Sequence, residues 1–349
     1  MFTMTIDEAA KTRGWKPFRL KQAWHARERE LKAAWSGISP LPKEERDWLE
    51  SHVPFDSLKI LRAQSSDDGT AIKWLLKAGD GQRIETVLLL HSGDQKTWGT
   101  VCVSSQVGCP MRCAFCATGQ MGLVRNLTTD EILDQFLIAK REASRRGLVG
   151  NLNVVFMGMG EPLLNLEAVI PAIRILIEPT RHGLSPTRVT VSTSGILPGL
   201  EKLHAEKLGI GLALSLHAPT DELRSKLMPA NTAYPLATVM AHLKKWEKRG
   251  TEILYEYILI DGVNDRPEDA EALVRLLREH DAKVNLIPLN PVPNSTLKRP
   301  SKARMHRFLD ILEKADIAAT LRHTKGDDIQ AACGQLKTEC QPATIQKAL

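Results

Sequence analysis

The chain has 349 residues, 43% of them hydrophobic, and a formal net charge of +6, which fits one large α/β barrel with a small additional domain. No run approaches the roughly 18 apolar residues of a membrane span, and the N-terminus lacks the apolar region of a secretory signal, so we expect a cytoplasmic protein and no membrane segment. The basic balance permits a polyanionic partner, and a well-solvated basic surface explains it equally well.

The first 60 or so residues predict a small helical domain. Thr5 and Glu8 have the spacing of a capping box at a helix start. Aromatic residues recur here among basic ones, and they are explained most simply as the core of that domain, with an RNA-facing surface as the functional alternative: Trp15, Phe18, Trp24 and Trp35. Residues 70–107 follow as short apolar, partly β-branched runs with turn residues between them, which predicts extended strands.

From about residue 150, predicted strands and helices alternate. The strands are NLNVVFM, RVTVSTS, GIGLALSLH, EILYEYILI, KVNLIPLN and IAATLRHT. The amphipathic helices are LEAVIPAIRILI, LPGLEKLHAEK, PLATVMAHLKKWEKR, PEDAEALVRLLREH and KARMHRFLDILEKA. Repeated βα units imply a parallel sheet with helices outside it. We therefore predict a partial or full (βα) barrel, with a doubly wound sheet as the structural alternative.

Cysteine usage points to metal binding or redox chemistry. The even number of cysteines would suit a disulfide scaffold, but the length, the absent signal and the crowding of three cysteines argue against it. The six are Cys102, Cys109, Cys113, Cys116, Cys333 and Cys340.

The segment GCPMRCAFCATG arranges three of these cysteines as C-x3-C-x2-C. Thiolates bind iron–sulfur clusters, usually four to a cluster. Three ligands leave one iron open to an exogenous group, such as the amine and carboxylate of an amino acid. Zinc is the competing metal, but typical structural zinc sites use two separated ligand pairs, and no second pair follows at a suitable distance. Phe115, directly before Cys116, strengthens the interpretation as a cluster site.

This loop resembles the signature of the radical S-adenosylmethionine (SAM) superfamily, in which SAM chelates the open iron of a [4Fe–4S] cluster and is split to a 5′-deoxyadenosyl radical. Further motifs, in the same order over nearly the whole chain, resemble the RlmN/Cfr family of RNA adenine methyltransferases. They are KPFRLKQAW, CVSSQVGCPMRCAFCATGQMG, MGMGEPLLNL, VTVSTSG, LSLHAPTDELR, NLIPLNP and GDDIQAACGQL.

The resemblance implies an α/β fold: a partial (βα)6 radical SAM barrel with a small N-terminal helical domain and a C-terminal extension. We expect an RNA-binding helical domain at 1–70, extended linker strands at 71–94 and the barrel at 95–325. The remaining segment, 326–349, would carry the methyl-accepting cysteine.

Polar residues follow the predicted strands, where active sites of βα barrels lie. By resemblance, Glu161 accepts hydrogen bonds from the methionyl amine of SAM. The positions that would hold the rest of SAM are Gly160, Ser192, Ser215, Leu216, His217 and Asn290. Each residue alone is explained as a strand-end cap or a satisfied polar group, but their joint placement favours a SAM site.

Carbon 2 of adenine is electron-poor and cannot attack a SAM methyl group as a nucleophile, so the methyl carbon must first become a radical. The resemblance implies that Cys333 takes a methyl group from a first SAM, and that a second SAM supplies the radical that activates it. Glu85 matches the acceptor of the ring proton. Cys102 matches the thiol that then attacks Cys333 and leaves a transient Cys102–Cys333 disulfide.

Without the resemblance, Cys102 is explained as a small buried hydrophobe and Glu85 as an exposed strand residue. The turn between Glu85 and Cys102 is several residues longer than the family commonly has, which weakens the assignment of Glu85. Cys340 matches nothing in the family and is interpreted as incidental.

The resemblance implies RlmN-type methylation of adenine carbon 2 in 23S rRNA and in tRNA, by a monomer that receives electrons from an external donor such as flavodoxin. Cfr-type methylation at carbon 8 is the nearest alternative, and an iron–sulfur RNA-binding protein without methyl transfer is another. Three basic segments suit phosphate contacts, the best of them being the one that follows the Asn290 strand. They are KREASRRG, KKWEKRG and LKRPSKARMHR.

Overall fold

The computed structural model describes residues 4–338 apart from 94–95, 149, 151, 248–251 and 293–294. The N-terminal part is a helical module with its own hydrophobic core. Its helices are α1 (Ile6–Thr12), α2 (Pro17–Glu28) and α3 (Lys43–His52). The predicted capping box of Thr5 and Glu8 is present at the start of α1.

Two of the four aromatic residues predicted for this core are buried in it, namely Trp15 and Trp35. The indole N–H of Trp15 donates to Glu45 at 2.9 Å, and that of Trp35 donates to the Val53 carbonyl at 2.8 Å. Phe18, in contrast, is 54% exposed. The core interpretation therefore holds for the two tryptophans and not for Phe18.

The described residues contain twelve strands. They are β1 (Leu58–Ser65), β2 (Ala71–Ala78), β3 (Arg83–Ser92), β4 (Thr97–Cys102), β5 (Gln106–Cys109), β6 (Gly122–Asn126), β7 (Leu152–Phe156), β8 (Val189–Thr193), β9 (Gly211–Ser215), β10 (Ile253–Leu259), β11 (Ala282–Pro288) and β12 (Ala318–Leu321). Ten of them form one sheet in the order β1-β2-β3-β4-β7-β8-β9-β10-β11-β12, and β5 pairs with β6 in a separate hairpin. Strands β1 to β4 are antiparallel, and every pair from β4–β7 onward is parallel.

Helices connect the parallel strands: α4 (Ala117–Met121), α5 (Thr129–Arg145), α6 (Leu166–Ile177), α7 (Leu197–Ala205), α8 (Asp221–Leu227), α9 (Leu236–Glu247), α10 (Pro267–Leu277) and α11 (Lys302–Lys314). Helix α5 shows how the sequence positions them. Thr128 and Glu131 form a capping box at its start. Its buried residues Ile132, Phe136 and Ala139 are three or four positions apart, so they form one apolar stripe that packs into the main core.

The strand order distinguishes the two architectures that the sequence left open. From β4 to β12 the sheet order follows the chain without reversing, whereas a doubly wound sheet needs a reversal at its switch point. The prediction of a partial (βα)6 barrel is therefore confirmed. Six βα units lead to β12, and the four-stranded antiparallel region continues the same sheet beyond β4.

The C-terminal segment, residues 325–338, runs from β12 to the antiparallel region on the other side of the barrel opening. The Lys325 ammonium donates to the carbonyl of Leu90 at 2.6 Å, and that of Lys73 donates to the carbonyl of Gln330 at 3.2 Å. The predicted range 1–70 spans the helical module and β1 together, because the helices end at His52 and β1 begins at Leu58. No described helix is both long and apolar enough to cross a membrane.

Charged residues attach the helical module to the barrel. The buried Asp134 of α5 is paired with Arg27 of α2 and accepts a hydrogen bond from the Ser57 hydroxyl at 2.7 Å. Arg141 forms an ion pair with Asp56 at 2.7 Å. The Lys140 ammonium donates to the Glu28 carbonyl at 2.7 Å. The basic segment KREASRRG (140–147) thus uses its first two cations for internal docking.

We predict that Asp134→Ala lowers the free energy of unfolding by about 3 kcal/mol, because it removes the closer of two counter-charges of the buried Arg27 guanidinium and leaves only Asp56, at 3.4 Å. Urea unfolding followed by circular dichroism measures the change. Asp47→Ala is the matched control, because it removes an exposed carboxylate 3.0 Å from Lys43, and such pairs contribute less than about 1 kcal/mol. Equal stabilities of the two variants would contradict the docking role of Asp134.

Candidate active site

The interior of the partial barrel is a cavity of about 710 Å³. Loops and strand ends that are distant in the sequence meet in its wall, as expected for the carboxyl ends of barrel strands. The predicted site residues that line it are Cys102, Cys109, Cys113, Cys116, Gly160, Glu161, Ser192, Ser215, His217, Asn290 and Cys333. Glu85 and Leu216 do not line it.

The three-cysteine loop connects the end of β5 to α4. Cys109 ends β5, and Cys116 caps α4 and donates its backbone N–H to the Cys113 carbonyl at 3.2 Å. Gly119 lets α4 approach this loop, because a Cβ at this position would lie 3.0 Å from the Cys113 nitrogen. Burial raises the pKa of Cys109 to about 12 and raises that of Cys113 further. Phe115 packs edge-on against His217, with ring centroids 4.7 Å apart.

The donor set fits a cluster better than a single ion. In the described part of the chain, no three His, Cys, Asp or Glu side chains are arranged to hold one metal ion. Zinc needs its ligands to converge on one point, whereas the thiolates of a cubane bind to different irons. Three thiols in one cavity wall would therefore hold a [4Fe–4S] cluster and leave one of its irons without a protein ligand.

Glu161 is a buried carboxylate beside the cysteine loop. One oxygen accepts from the backbone N–H of Leu163 at 3.1 Å, and the other accepts from the N–H and the hydroxyl of Ser194, both at 2.8 Å. Burial raises its pKa, and these hydrogen bonds oppose that effect. Gly160 has φ +104, and a Cβ there would lie 2.6 Å from the Gln106 side chain. Glycine is therefore required for the turn that brings Glu161 to the cavity.

The other predicted SAM contacts lie on neighbouring strands. The hydroxyls of Ser192 and Ser215 are 3.5 Å apart. Burial lowers the pKa of His217 to about 3, and its Nδ1 accepts from the N–H of Ile258 at 3.1 Å, so the ring is neutral. Leu216 is fully buried, and its carbonyl accepts from the Arg224 guanidinium at 3.1 Å.

Cys333 reaches the cavity from the C-terminal segment. The Asn290 amide donates to the Cys333 carbonyl at 3.1 Å, and the backbone N–H of Ala117 donates to the Gly334 carbonyl at 2.8 Å. Cys333 is exposed and lines the cavity, and desolvation by the surrounding protein raises the pKa of its thiol to about 12.

Cys102, at the end of β4, is partly buried, and burial raises the pKa of its thiol to about 11. Cys102 and Cys333 are both free thiols in this structure, so it does not support the expected Cys102–Cys333 disulfide. Cys340 lies outside the described residues.

Glu85 is buried outside the cavity, so the interpretation of it as an exposed strand residue is wrong. Its carboxylate forms an ion pair with Lys73 at 3.0 Å and accepts from the backbone N–H of Lys337 at 2.9 Å. Both oxygens are therefore engaged, one of them by the same segment that carries Cys333. The role of Glu85 as proton acceptor stays a prediction.

The basic segment after the Asn290 strand also uses its arginines within the protein. Arg299 donates to the Leu289 carbonyl at 2.7 Å and to the Asn290 side chain at 2.8 Å. Arg304 pairs with Asp261 at 3.0 Å and with Asp265 at 2.7 Å. These two arginines hold the loop, so this segment is a weaker candidate for phosphate contacts than its composition suggests.

Among the polar residues of the cavity wall that sequence analysis missed are Glu256 on β10, Asn285 on β11 and Arg322 just after β12. A signal for Glu256 was available in the strand EILYEYILI. Side chains alternate across a strand, so a glutamate between Tyr255 and Tyr257 must face away from both. In a strand covered by helices on one side, that direction leads into the barrel.

The chain is similar to known proteins over nearly its whole length. The family model of the radical SAM superfamily matches residues 103–277. The "Probable dual-specificity RNA methyltransferase RlmN" of Moorella thermoacetica is 44% identical over 335 residues, which cover 95% of this chain and 94% of that protein. The dual-specificity RNA methyltransferase RlmN of Syntrophobacter fumaroxidans is 42% identical over 339 residues, which cover 96% of each protein.

A solved structure is similar over almost its whole length. The crystal structure of a radical SAM methyltransferase from Sphaerobacter thermophilus superposes with a TM-score of 0.91 at 44% sequence identity, and the match covers 97% of this chain and 99% of that one. The similarity includes both the barrel and the regions before and after it.

We predict about four irons per chain after anaerobic reconstitution, as for a [4Fe–4S] cubane. Changing Cys109, Cys113 or Cys116 to Ala should abolish the iron content and the activity, because each thiolate is the sole protein ligand of one iron. Colorimetric iron assay and the visible absorption spectrum measure this. Cys333→Ala is the control and should keep its iron. Stoichiometric zinc without iron in anaerobically prepared protein would show that the cluster assignment is wrong.

Proposed function

The chain belongs to the RlmN family of dual-specificity RNA methyltransferases, within the radical SAM superfamily, and we propose that it methylates carbon 2 of adenine in 23S rRNA and in tRNA. One observation carries the proposal: the three-cysteine loop, the polar strand ends and both further cysteines, Cys102 and Cys333, line a single cavity. An iron–sulfur RNA-binding protein would have no use for that combination.

Cys109, Cys113 and Cys116 would hold the cluster, and Glu161 would accept hydrogen bonds from the amine of SAM. When bound, cluster and SAM supply a methyl cation equivalent and a 5′-deoxyadenosyl radical, with two SAM molecules consumed per turnover. The neighbouring hydroxyls of Ser192 and Ser215 suit the hydrogen bonds of a ribose or a carboxylate. Gly160, the backbone of Leu216, His217 and Asn290 would complete the pocket for SAM.

Cys333 would carry the methyl group. Its backbone is held by Asn290, and the carbonyl of the next residue is held by Ala117 at the start of α4. The S-methyl group would therefore face the cavity beside the cluster loop. Loss of one hydrogen atom from that group gives a carbon radical that can add to the electron-poor adenine ring.

Two residues would complete the reaction. Glu85 would accept the ring proton, and Cys102 would attack the Cys333 sulfur, release the methylated base and form a transient disulfide. Glu85 bonds to the backbone of Lys337, so a shift of the C-terminal segment during the reaction would free its carboxylate. The same shift would move Cys333, so the release of the Glu85 carboxylate and the movement of Cys333 would occur together.

The substrate adenine must leave its stack to enter an interior cavity, and the net charge of +6 permits RNA as the partner. We further propose that an external reductant such as flavodoxin reduces the cluster, that the enzyme acts as a monomer, and that it works in the cytoplasm.

The product distinguishes the two ring positions. Nucleosides from 23S rRNA and tRNA treated with the reconstituted enzyme should contain 2-methyladenosine and little 8-methyladenosine, as expected for an RlmN-type enzyme. Liquid chromatography with mass spectrometry against both standards measures this. Dominant 8-methyladenosine would favour Cfr-type methylation instead.

Substitution of the two cysteines should stop the reaction at different stages. Cys333→Ala should give neither methylated RNA nor a protein–RNA adduct, because the methyl carbon has no carrier. Cys102→Ala should attack the base and then stall, because a thioether leaves slowly unless a thiolate attacks its sulfur in line. Denaturing gels should therefore show RNA covalently bound to Cys102→Ala. Its absence from the double variant Cys102→Ala/Cys333→Ala is the control, and wild-type turnover by Cys102→Ala would assign Cys102 a purely structural role.

A further inference from the structure

Glu256 has no role in the proposed function, although its side chain lines the cavity. It lies in the middle of β10, where Leu254 and Ile258 line the same cavity. The residue is 4% exposed, and one carboxylate oxygen is buried without a hydrogen-bond partner among the described residues. A buried carboxylate oxygen without a donor is costly, so this oxygen is available to a group that enters the cavity or already lines it.

The surroundings of Glu256 keep its carboxylate in the wall. Ser192 and Asn285 lie beside it, and their hydrogen bonds, like the charge of Arg322, oppose the increase in pKa that burial causes. Asn285 is its direct neighbour in the parallel pairing of β10 with β11. The side chain is therefore positioned by polar neighbours and keeps one oxygen free.

Both reactive thiols lie within the electrostatic range of this carboxylate. The charge of Glu256 helps to raise the pKa of Cys102 and of Cys333, and Arg322 acts on both thiols in the opposite direction. Charge interactions of this kind fall off with distance, and all four side chains line the same cavity. Glu256 and Arg322 therefore act on both thiols in opposite directions, from the wall of the cavity that the thiols also line.

Cys333 needs a proton acceptor before it can react. The thiolate is the nucleophilic form of cysteine, and the pKa of about 12 at Cys333 leaves the thiol protonated near neutral pH. Of the acidic residues that the structure describes, only Glu161 and Glu256 line the cavity. Both oxygens of Glu161 already accept hydrogen bonds from Leu163 and Ser194, which leaves Glu256.

We propose that Glu256 is the proton acceptor of Cys333 when this thiol takes up its methyl group. The inference rests on the proposed function and concerns an earlier step than the one assigned to Glu85. The S–H bond of Cys333 breaks and its proton passes to the free oxygen of Glu256. The electron pair left on sulfur forms the new bond to the methyl carbon. The bond from that carbon to the sulfonium sulfur breaks, its pair stays on that sulfur, and S-adenosylhomocysteine leaves.

The first test is the rate of Cys333 methylation in Glu256→Gln, which keeps the shape of the side chain and removes its basicity. We expect the single-turnover rate to fall roughly 10²–10⁴-fold, the usual contribution of a general base. Mass spectrometry of the Cys333 peptide measures the methyl group, and equilibrium dialysis with SAM should give unchanged binding. Glu256→Asp, which keeps a carboxylate, should recover part of the rate.

The second test needs neither cluster nor SAM. Iodoacetamide alkylates Cys333 in the full-length protein, and peptide mass spectrometry follows the rate. A proton acceptor predicts slower alkylation in Glu256→Gln. A purely electrostatic or structural role predicts faster alkylation, because removing the negative charge lowers the pKa of the thiol and increases the thiolate fraction.

Glu247→Gln is the matched control. The Glu247 side chain is 6% exposed, and its Oε2 accepts no hydrogen bond but lies 3.5 Å from the Lys244 ammonium. Glu247 does not line the cavity, and its Oε1 bonds to Tyr255 at 3.1 Å and to His280 at 2.8 Å. Its methylation and alkylation rates should equal those of the wild type. Thermal unfolding checks that both variants fold.

If Glu256→Gln methylates Cys333 at the wild-type rate, or is alkylated faster than the wild type, Glu256 is not the proton acceptor. The proposed function would still stand if the wild-type enzyme produces 2-methyladenosine. A wild-type protein that forms no S-methylcysteine at Cys333 would overturn both.

Discussion

The attachment of the C-terminal segment to the cluster loop is the interaction on which the rest of the site depends. The carbonyl of Gly334 is bound by the backbone of Ala117, and the Thr118 hydroxyl donates to the Leu336 carbonyl at 2.5 Å. These bonds join the start of α4 to two residues that closely follow Cys333 in the chain. They place Cys333 in the same cavity as a cysteine loop more than two hundred positions earlier in the chain. Cys333 and the cysteine loop therefore share one compartment.

Desolvation governs the chemistry inside the barrel. It raises the pKa of the thiols at Cys102 and Cys333, which makes each thiol a poor nucleophile until it loses its proton. The two buried carboxylates of the cavity differ in their hydrogen bonds. Glu161 has donors on both oxygens and suits a stationary contact, whereas Glu256 has an oxygen without a donor and suits proton transfer.

The positions of the basic residues show that a basic composition does not by itself indicate an RNA-binding surface. Lys140 and Arg141 dock the helical module onto the barrel, and Arg299 and Arg304 hold a loop beside the cavity. These cations are already paired within the protein, so they contribute less to phosphate binding than free ones would. Arg322, which lines the cavity, can act on the chemistry itself.

The sequence by itself determined the barrel and the cysteine loop, because both are encoded locally: periodic apolar runs define each βα unit, and Cys109, Cys113 and Cys116 are spaced within one turn-rich segment. Motif resemblance also identified Cys102, Glu161 and Cys333. It could not show that the Glu85 carboxylate is bound by the Lys73 ammonium and the Lys337 backbone N–H, or that Glu256 keeps a free oxygen in the cavity. Those properties depend on partners contributed by other strands and by the C-terminal segment, so only the tertiary structure decided which carboxylate is occupied and which is available.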